Sequence, residues 1–512
     1  MTKRRQRNDP PPGLSRRDFL KVGGAGVAAA ALGSVPFLTA RAVAEDTVDT
    51  WDREADVLVL GYGGAGAAAA IAAHDAGAEV LVLEKREVGG GTTITSGGFI
   101  QAGGTSVQER EDIDDSADAY YEHLIDTGRG MNDPDLARVA ADGSAESVEW
   151  LIELGGEFPN APTPDGPERQ LGRDPVPRSH QIRYGDYDQG AAFFRVLSDA
   201  VDERDIEVVY EAAAQRLVID EDGAVVGVRV SINGQEEHVR AHRGVVLTSG
   251  GFSHDDEMLA TYTRHGHFAE SLTPPGMTGD GQRMAFAIGA GAATMTALSR
   301  TPGFTPPGMD RAVGGPMIGI MVNLRGERYV DEYAFYDWRA DRLAAQSEAR
   351  AFAVFDERIR EEQAPIAATL SESLDEEVAN GLVLRADSLE ELAEAMGVPS
   401  DRLERTVERW NEHADDEEDP DFERTQAFQP IEEAPFYAFE QVVTLYDTAG
   451  GPRIDPDARV LGVFGEPIPR LYAAGTAAGG VIGQFYPGSG AALNVAVTFG
   501  RIAGRNAADE EA

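Results

Sequence analysis

Three features of the 512-residue sequence predict an α/β fold, in which a β-turn-α-β core is interrupted by an α+β insertion. Residues 56–85 run DVLVL, GYGGAG, AAAAIAAHDAGA, EVLVLEK, which is strand, glycine turn, helix, strand. Two further apolar strands, in GVVLTSGG and PRLYAAG, return late in the chain. Between them, from about Ala293 to Glu433, the character changes to a Pro/Gly-rich connection, one short β segment and charged helical stretches. No run of eighteen apolar residues occurs, so a soluble protein of more than one domain is expected.

Taken in order, residues 1–44 read as a twin-arginine export signal. Basic MTKRRQRN is followed by SRRDFLKV, the weakly apolar VGGAGVAAAALGSVPFL, and AVA before Glu45, with cleavage expected after Ala44. That route carries folded proteins out of the cytoplasm, and therefore suits enzymes that load a cofactor first. A membrane contact is expected only as an uncleaved signal anchor. In the first β-turn-α-β unit, Gly61 permits the tight turn, Gly63 lets a pyrophosphate approach the backbone, and Gly66 lets helix pack on strand. Glu84 ends the second strand, where a carboxylate accepts from a ribose hydroxyl. Residues 207–252 alternate as a β-meander with turns at DEDG and NG, and TGDGQRMAFAIGAGA reads as a turn and a helix. The segment SRTPGFTPPGMDRAVGGP reads as a connection, MIGIMVN as a strand, and DSLEELAEAMGVPSDRLERTVERWNEHADDEED as two helices with a solvated acidic face. The expected boundaries are 45–292 and 442–512 for the two parts of the nucleotide domain and 293–441 for the insertion.

Charge and cysteine content exclude several classes. Asp plus Glu number 88 and Lys plus Arg 45. Without the signal (2 acidic, 8 basic) 86 face 37, a net charge of −49, with Lys85 the one remaining lysine. Acids spread along the chain with almost no lysine suit molar salt, where screening falls to about 3 Å, so a halophilic source is expected. Nucleic-acid binding is excluded, since phosphate neutralisation needs basic patches. The absence of cysteine excludes disulfides, Fe–S clusters and cysteine nucleophiles. Electrons must therefore leave to an unidentified diffusible or protein acceptor. His254, His265 and His267 lie near acids, but no third or fourth ligand stands at metal spacing, and no metal is expected.

The ordered set DVLVLGYGGAGAAAA, VLEK, GGGTTITSGGF, VLTSGGF, TGDGQRMA, RYVDE, TAGGPRIDPDARV and LYAAGTAAGG resembles the succinate dehydrogenase/fumarate reductase flavoprotein family from about residue 55 to 508. The resemblance implies a Rossmann-like FAD-binding domain interrupted by an α+β cap domain, with substrate between cap and isoalloxazine ring. It places the adenine end on Gly61, Gly63, Gly64, Ala65, Gly66, Glu84, Lys85 and the strand reaching Ala213. The flavin end falls on Gly91, Thr92, Thr93, Ser96, Gly97, Gly98, Gly250, Gly251, Asp280, Gly475, Thr476, Ser489, Ala492 and Leu493. No histidine lies between His74 and His123, where relatives with a covalent histidine link carry it, so FAD is expected to be non-covalent. The final helix, from about Ala491, would turn its N-terminal dipole toward a reduced flavin.

Departures from the family pattern bear on the substrate. Fumarate reductases bind two carboxylates with arginine and histidine and donate a proton from an arginine in RFVNE-x-x-x-RD. Here RYVDEYAFYD puts Tyr336 at that arginine. Tyr446-Asp447-Thr448-Ala449-Gly450-Gly451 stands for their His-His-Thr-Met-Gly-Gly, and Tyr486 for the arginine before the last helix. Loss of these cations removes charge-assisted pairing with two anions. YPGSG is similar to the YPGAG of 3-ketosteroid dehydrogenases, a likeness extending to steroid metabolism as a setting and an apolar carbonyl compound as substrate. It implies Tyr486 and Gly490 as oxyanion donors, Tyr336 as base next to the ketone, and flavin N5 as hydride acceptor. Two alternatives stand beside this reading: a reductase of an unsaturated acid such as fumarate or urocanate, and a non-catalytic flavin or ligand carrier.

Overall fold

The computed structural model describes residues 48, 50–263, 269–306, 309, 312–366 and 369–511. The expected signal segment, His265 and His267 lie outside the described residues. Five parallel strands form the centre of the first sheet, in the order Pro467–Ala473, Gln235–Leu247, Arg53–Leu60, Val80–Leu83 and Glu207–Val209. Arg459–Leu461 adds an antiparallel edge to Pro467–Ala473. Val57 to Leu60 and Val80 to Leu83 are buried throughout, as strands covered on both faces must be, which is why they read as continuous apolar runs. Ala212–Ile219 and Val225–Ile232 meander antiparallel into Gln235–Leu247, and Asn233 and Gly234, both at positive φ, make the hairpin turn.

Helix Gly64–Asp75 leaves the first strand and packs against the C-terminal helix Ala491–Asp509. Their contact is narrow: a Cβ on Gly504 would stand 2.1 Å from the Ala69 carbonyl oxygen, so only the Ala/Gly faces permit it.

A second sheet is organised around the long strand Phe436–Thr448. Leu298–Phe304 and Arg350–Asp356 pair antiparallel with different lengths of it, Glu270–Ser271 and Val383–Ala386 join it, Ile320–Asn323 extends Arg350–Asp356, and Val313–Gly314 extends Leu298–Phe304. Leu298–Phe304, read from sequence as part of a connection, is a wholly buried strand. Pairing on Phe436–Thr448 overrides the weak strand preference of Pro302 and Gly303. The same long strand crosses residue 441, where sequence character alone suggested a boundary.

Helix Ser400–Asp416 buries Leu403, Val407, Trp410 and Ala414 at helical spacing against this sheet and leaves its acids outside. Beneath it, Arg328 pairs with Glu332 at 2.8 Å and with Asp419 at 2.9 Å, and Arg424 pairs with Glu332 at 3.0 Å. Both guanidinium groups lie over the Trp410 ring. This buried network anchors the RYVDE turn and so sets where the following helix, Tyr336–Ala344, begins.

Candidate functional site

A cavity opens at the carboxyl ends of the parallel strands. Gly61, Gly63, Gly64 and Ala65 form one wall, Glu84, Lys85, Ala212 and Ala214 the next, and Gly91, Thr92, Thr93, Gly250 and Asp280 line it further along. Gly475, Thr476, Ala492, Leu493 and Asp447 close the far end. Gly61 has φ of +111°, and a Cβ on Gly66 would meet the Gly61 carbonyl oxygen at 1.9 Å, so strand, turn and helix come this close only with glycine at both places. The N-cap residue Gly63 has no side chain to cap helix Gly64–Asp75, and the Gly64 N–H donates to Thr93 Oγ1 at 3.0 Å.

The donor set fits a dinucleotide. A helix N-terminus suits a pyrophosphate, Ala212 and Ala214 offer apolar surface, and the Glu84 carboxylate stands at the strand end. That carboxylate accepts from the Tyr62 and Arg86 N–H groups at 2.8 and 2.9 Å, which holds it in place. Asp280, expected at the flavin end, lines the cavity and pairs with Lys85 Nζ at 2.7 Å.

Other expected residues serve the walls. Gly66 packs helix on strand. Ser96 Oγ donates to the Thr93 carbonyl at 2.8 Å, Gly97 O accepts from Gln181, and Gly98 fits tightly over Gln189, so these three shape the turn beneath Thr92 and Thr93. Ala213 lies between the two lining alanines, on the alternate face of a pleated strand. A Cβ on Gly251 would meet Thr448 Oγ1 at 2.3 Å, and this glycine seats the second sheet against the first.

Ser489 turns instead toward a cluster of phenols. Its Oγ lies 3.4 Å from the Tyr336 hydroxyl. The Tyr336 ring sits 5.5 Å from that of Tyr446 and 6.4 Å from that of Tyr486, with Phe335 at 4.1 Å behind it. Burial pushes Tyr336, Tyr446 and Tyr486 above the ordinary phenol range, and the negative potential of Asp165 adds to all three. Tyr486 is fixed at both ends: its N–H donates to Asp337, itself paired with Arg300, and its hydroxyl accepts from the Ala492 N–H at 3.0 Å. The last helix thus aims its first turn at a phenol oxygen. Gly490 starts that helix with φ of +98°, and among the described residues its N–H has no acceptor.

The loop carrying these groups is held from below. Pro487 O accepts from the His123 ring, which burial keeps neutral by lowering its pKa to about 4, and from Gln101.

Asp447, quoted in the sequence motif but assigned no role there, is buried at the cavity wall. It accepts from Thr476 Oγ1 at 2.9 Å and from the Thr448 N–H at 2.8 Å, yet burial raises its pKa to about 6. Asp165 was missed altogether, because TPDGPER carries no motif. His254 bonds to the Thr273 carbonyl. Among the described residues His413, Asp419 and Asp421 lie together, but the two carboxylates are paired with Arg328 and Arg409.

Residues 56–493 match the FAD binding domain family, and residues 13–33 match the TAT (twin-arginine translocation) pathway signal sequence. The chain is similar to the fumarate reductase (cytochrome) of Shewanella frigidimarina, at 31% identity covering 88% of this chain and 77% of the relative. Urocanate reductase of Eggerthella lenta is 34% identical over 89% of this chain and 75% of its own length. Among solved structures, 3-ketosteroid delta1-dehydrogenase from Sterolibacterium denitrificans in complex with 1,4-androstadiene-3,17-dione matches with a TM-score of 0.82 at 25% identity, covering 89% of this chain and 99% of that one. Among the described residues no helix is long and apolar enough to cross a membrane.

Proposed function

The chain belongs to the FAD binding domain family and is an FAD-dependent oxidoreductase of the fumarate reductase type with a twin-arginine signal; on that premise we propose that it dehydrogenates a cyclic, 3-ketosteroid-like ketone to the α,β-unsaturated ketone, or runs the reverse reaction. The carrying observation is the cluster of Tyr336, Tyr446 and Tyr486 at the start of the last helix. Arg300 is engaged with Asp337 and Asp341, whereas Arg339 donates through Nε to the Ala334 carbonyl and, among the described residues, pairs with no carboxylate; burial lowers its pKa and so weakens it as an anion partner. Hydroxyls and a free N–H suit a neutral carbonyl better than two carboxylates.

In this reading Tyr486 O–H and Gly490 N–H donate to the ketone oxygen. The Ala492 N–H already occupies a Tyr486 lone pair, which orients its proton outward and strengthens it as a donor. Tyr336 removes the proton next to the carbonyl. FAD, when bound, takes up the second hydrogen with its electron pair. Gly61 to Ala65, Glu84, Thr92, Thr93, Gly475, Thr476, Ala492 and Leu493 are the residues that would hold it. The inserted second-sheet region, about 293–441, acts as the cap, and the mature enzyme works outside the cytoplasm in high salt.

The test is an anaerobic flavin spectrum after addition of a saturated 3-ketosteroid in about 3 M KCl, chosen for a Debye length of a few Å. Loss of the oxidised bands supports ketone dehydrogenation. Persistent oxidised flavin, with turnover of fumarate or urocanate by a reduced dye, replaces it with the acid reductase. Persistence with no turnover of acids or enones leaves a carrier.

A further inference from the structure

We propose that Asp165, acting through Ser489, is a positioning residue that accepts the proton displaced when Tyr336 deprotonates the substrate; this rests on the ketone reading of the site. Tyr336 and Ser489 are joined hydroxyl to hydroxyl at 3.4 Å, and the Asp165 carboxylate stands next to the Ser489 side chain. The backbone fixes the pair: Ser489 N–H donates to the Asp165 carbonyl at 3.0 Å, and Ser179 Oγ donates to the Ser489 carbonyl at 2.7 Å. Gly488 leaves no slack, since a Cβ there would meet the Asp165 carbonyl oxygen at 2.5 Å. Among the described residues no cation pairs with Asp165, whereas Asp337 beneath the same loop is matched by Arg300. An unpaired, partly buried carboxylate behind a serine and a phenol is placed to receive a proton.

The step balances without a further reactant. The substrate C–H bond breaks, its proton goes to the Tyr336 oxygen, and its electron pair enters the enolate held by Tyr486 and Gly490. The original Tyr336 proton passes to Ser489 Oγ, and the Ser489 proton to the Asp165 carboxylate. A phenol with an ordinary pKa near 10, raised further by burial, is a poor base by itself, and the relay removes the need for a free phenolate. Burial also lifts the Asp165 carboxyl above the ordinary aspartate range, which makes it a better acceptor. Groups facing it are Tyr336 on its helix, Tyr446 on the long strand, Tyr486 on the loop, and Glu168 on its own segment.

Asp165→Asn and Ser489→Ala holoenzymes decide between relay and bystander by anaerobic flavin reduction with a saturated cyclic ketone from pH 5 to 9. The expected result is about 10- to 100-fold slower reduction in both, less than the ~10²- to 10⁴-fold of a general base because Tyr336 itself remains, with flavin content and visible spectrum unchanged. The acid limb of the wild-type profile, where Asp165 protonates, should vanish in Asp165→Asn and return in Asp165→Glu. A wild-type rate and profile in Asp165→Asn overturns the relay, as does uniform slowing that keeps the acid limb. If Asp165→Asn loses flavin, Ser489→Ala decides by the same criteria. A wild-type enzyme whose flavin no ketone bleaches overturns the ketone reading and the relay together.

Discussion

Replacing Tyr486 by phenylalanine removes one oxygen and leaves the buried ring against Tyr336. Two interactions are lost. The first is the proposed donation to the ketone oxygen; loss of one preorganised oxyanion donor costs about 3 to 4 kcal/mol, or ~10²- to 10³-fold in the chemical step. The second is visible in the structure: the Ala492 N–H, 3.0 Å from the hydroxyl, loses its acceptor at a helix start. A backbone donor left unsatisfied there costs about 1 to 3 kcal/mol of stability, less where water reaches it. Cavity residues on the Gly61 side are untouched, so the flavin should load fully. The assay is stopped-flow flavin reduction by a saturated cyclic ketone, with flavin content and a thermal melt as controls. A melt lowered by a few degrees with reduction slowed at least 100-fold is the expected outcome. Undiminished reduction in a flavin-replete variant would falsify Tyr486 as the oxyanion donor.

Three more outcomes are expected on the same physical grounds. Asp447 has a folded pKa of about 6 against an ordinary 3.8, so its neutral form is favoured in the fold. Its contribution to stability is full below about pH 4 and is lost as pH rises through about 6, at most about 3 kcal/mol by linkage; apo-protein melts of wild type and Asp447→Asn should diverge across that window, and parallel curves would show that Asp447 does not titrate there. Acid precipitation should release the flavin into the supernatant, whereas yellow in the pellet would reveal a covalent link. With a net charge near −49 after the signal, the melting temperature should climb between about 0.1 and 3 M KCl as the Debye length falls from about 10 Å to a few Å, and a salt-independent melt would remove the halophilic reading.

Local chemistry made much of the nucleotide unit legible. DVLVL must be buried on both faces, GYGGAG must turn, and AAAAIAAHD must pack closely against its neighbours; each requirement is met within a few residues of chain, and the observed strand, turn and helix coincide with it. The meander turn at Asn233-Gly234 and the final helix from Ala491 are of the same kind. Leu298–Phe304 was not legible, because a strand containing Pro302 and Gly303 exists only through its partner Phe436–Thr448, some 140 residues later.

The site divides along the same line. Tyr336 and Tyr486 stand out in sequence because each sits in a short motif, and the resemblance of those motifs to the flavoprotein family's marks them as phenols where relatives carry cations. That Tyr446 joins them, that Ser489 turns to Tyr336 rather than lining the cavity, that Asp280 pairs with Lys85, and that Asp165 lies behind Ser489 were decided by the tertiary structure. The physical reason is range. Turn and helix preferences act over a few residues and are written in neighbouring side chains, whereas hydrogen bonds and charge interactions act across a few ångströms of space, and only the packed sheets bring residues 165, 336, 446 and 489 within that distance.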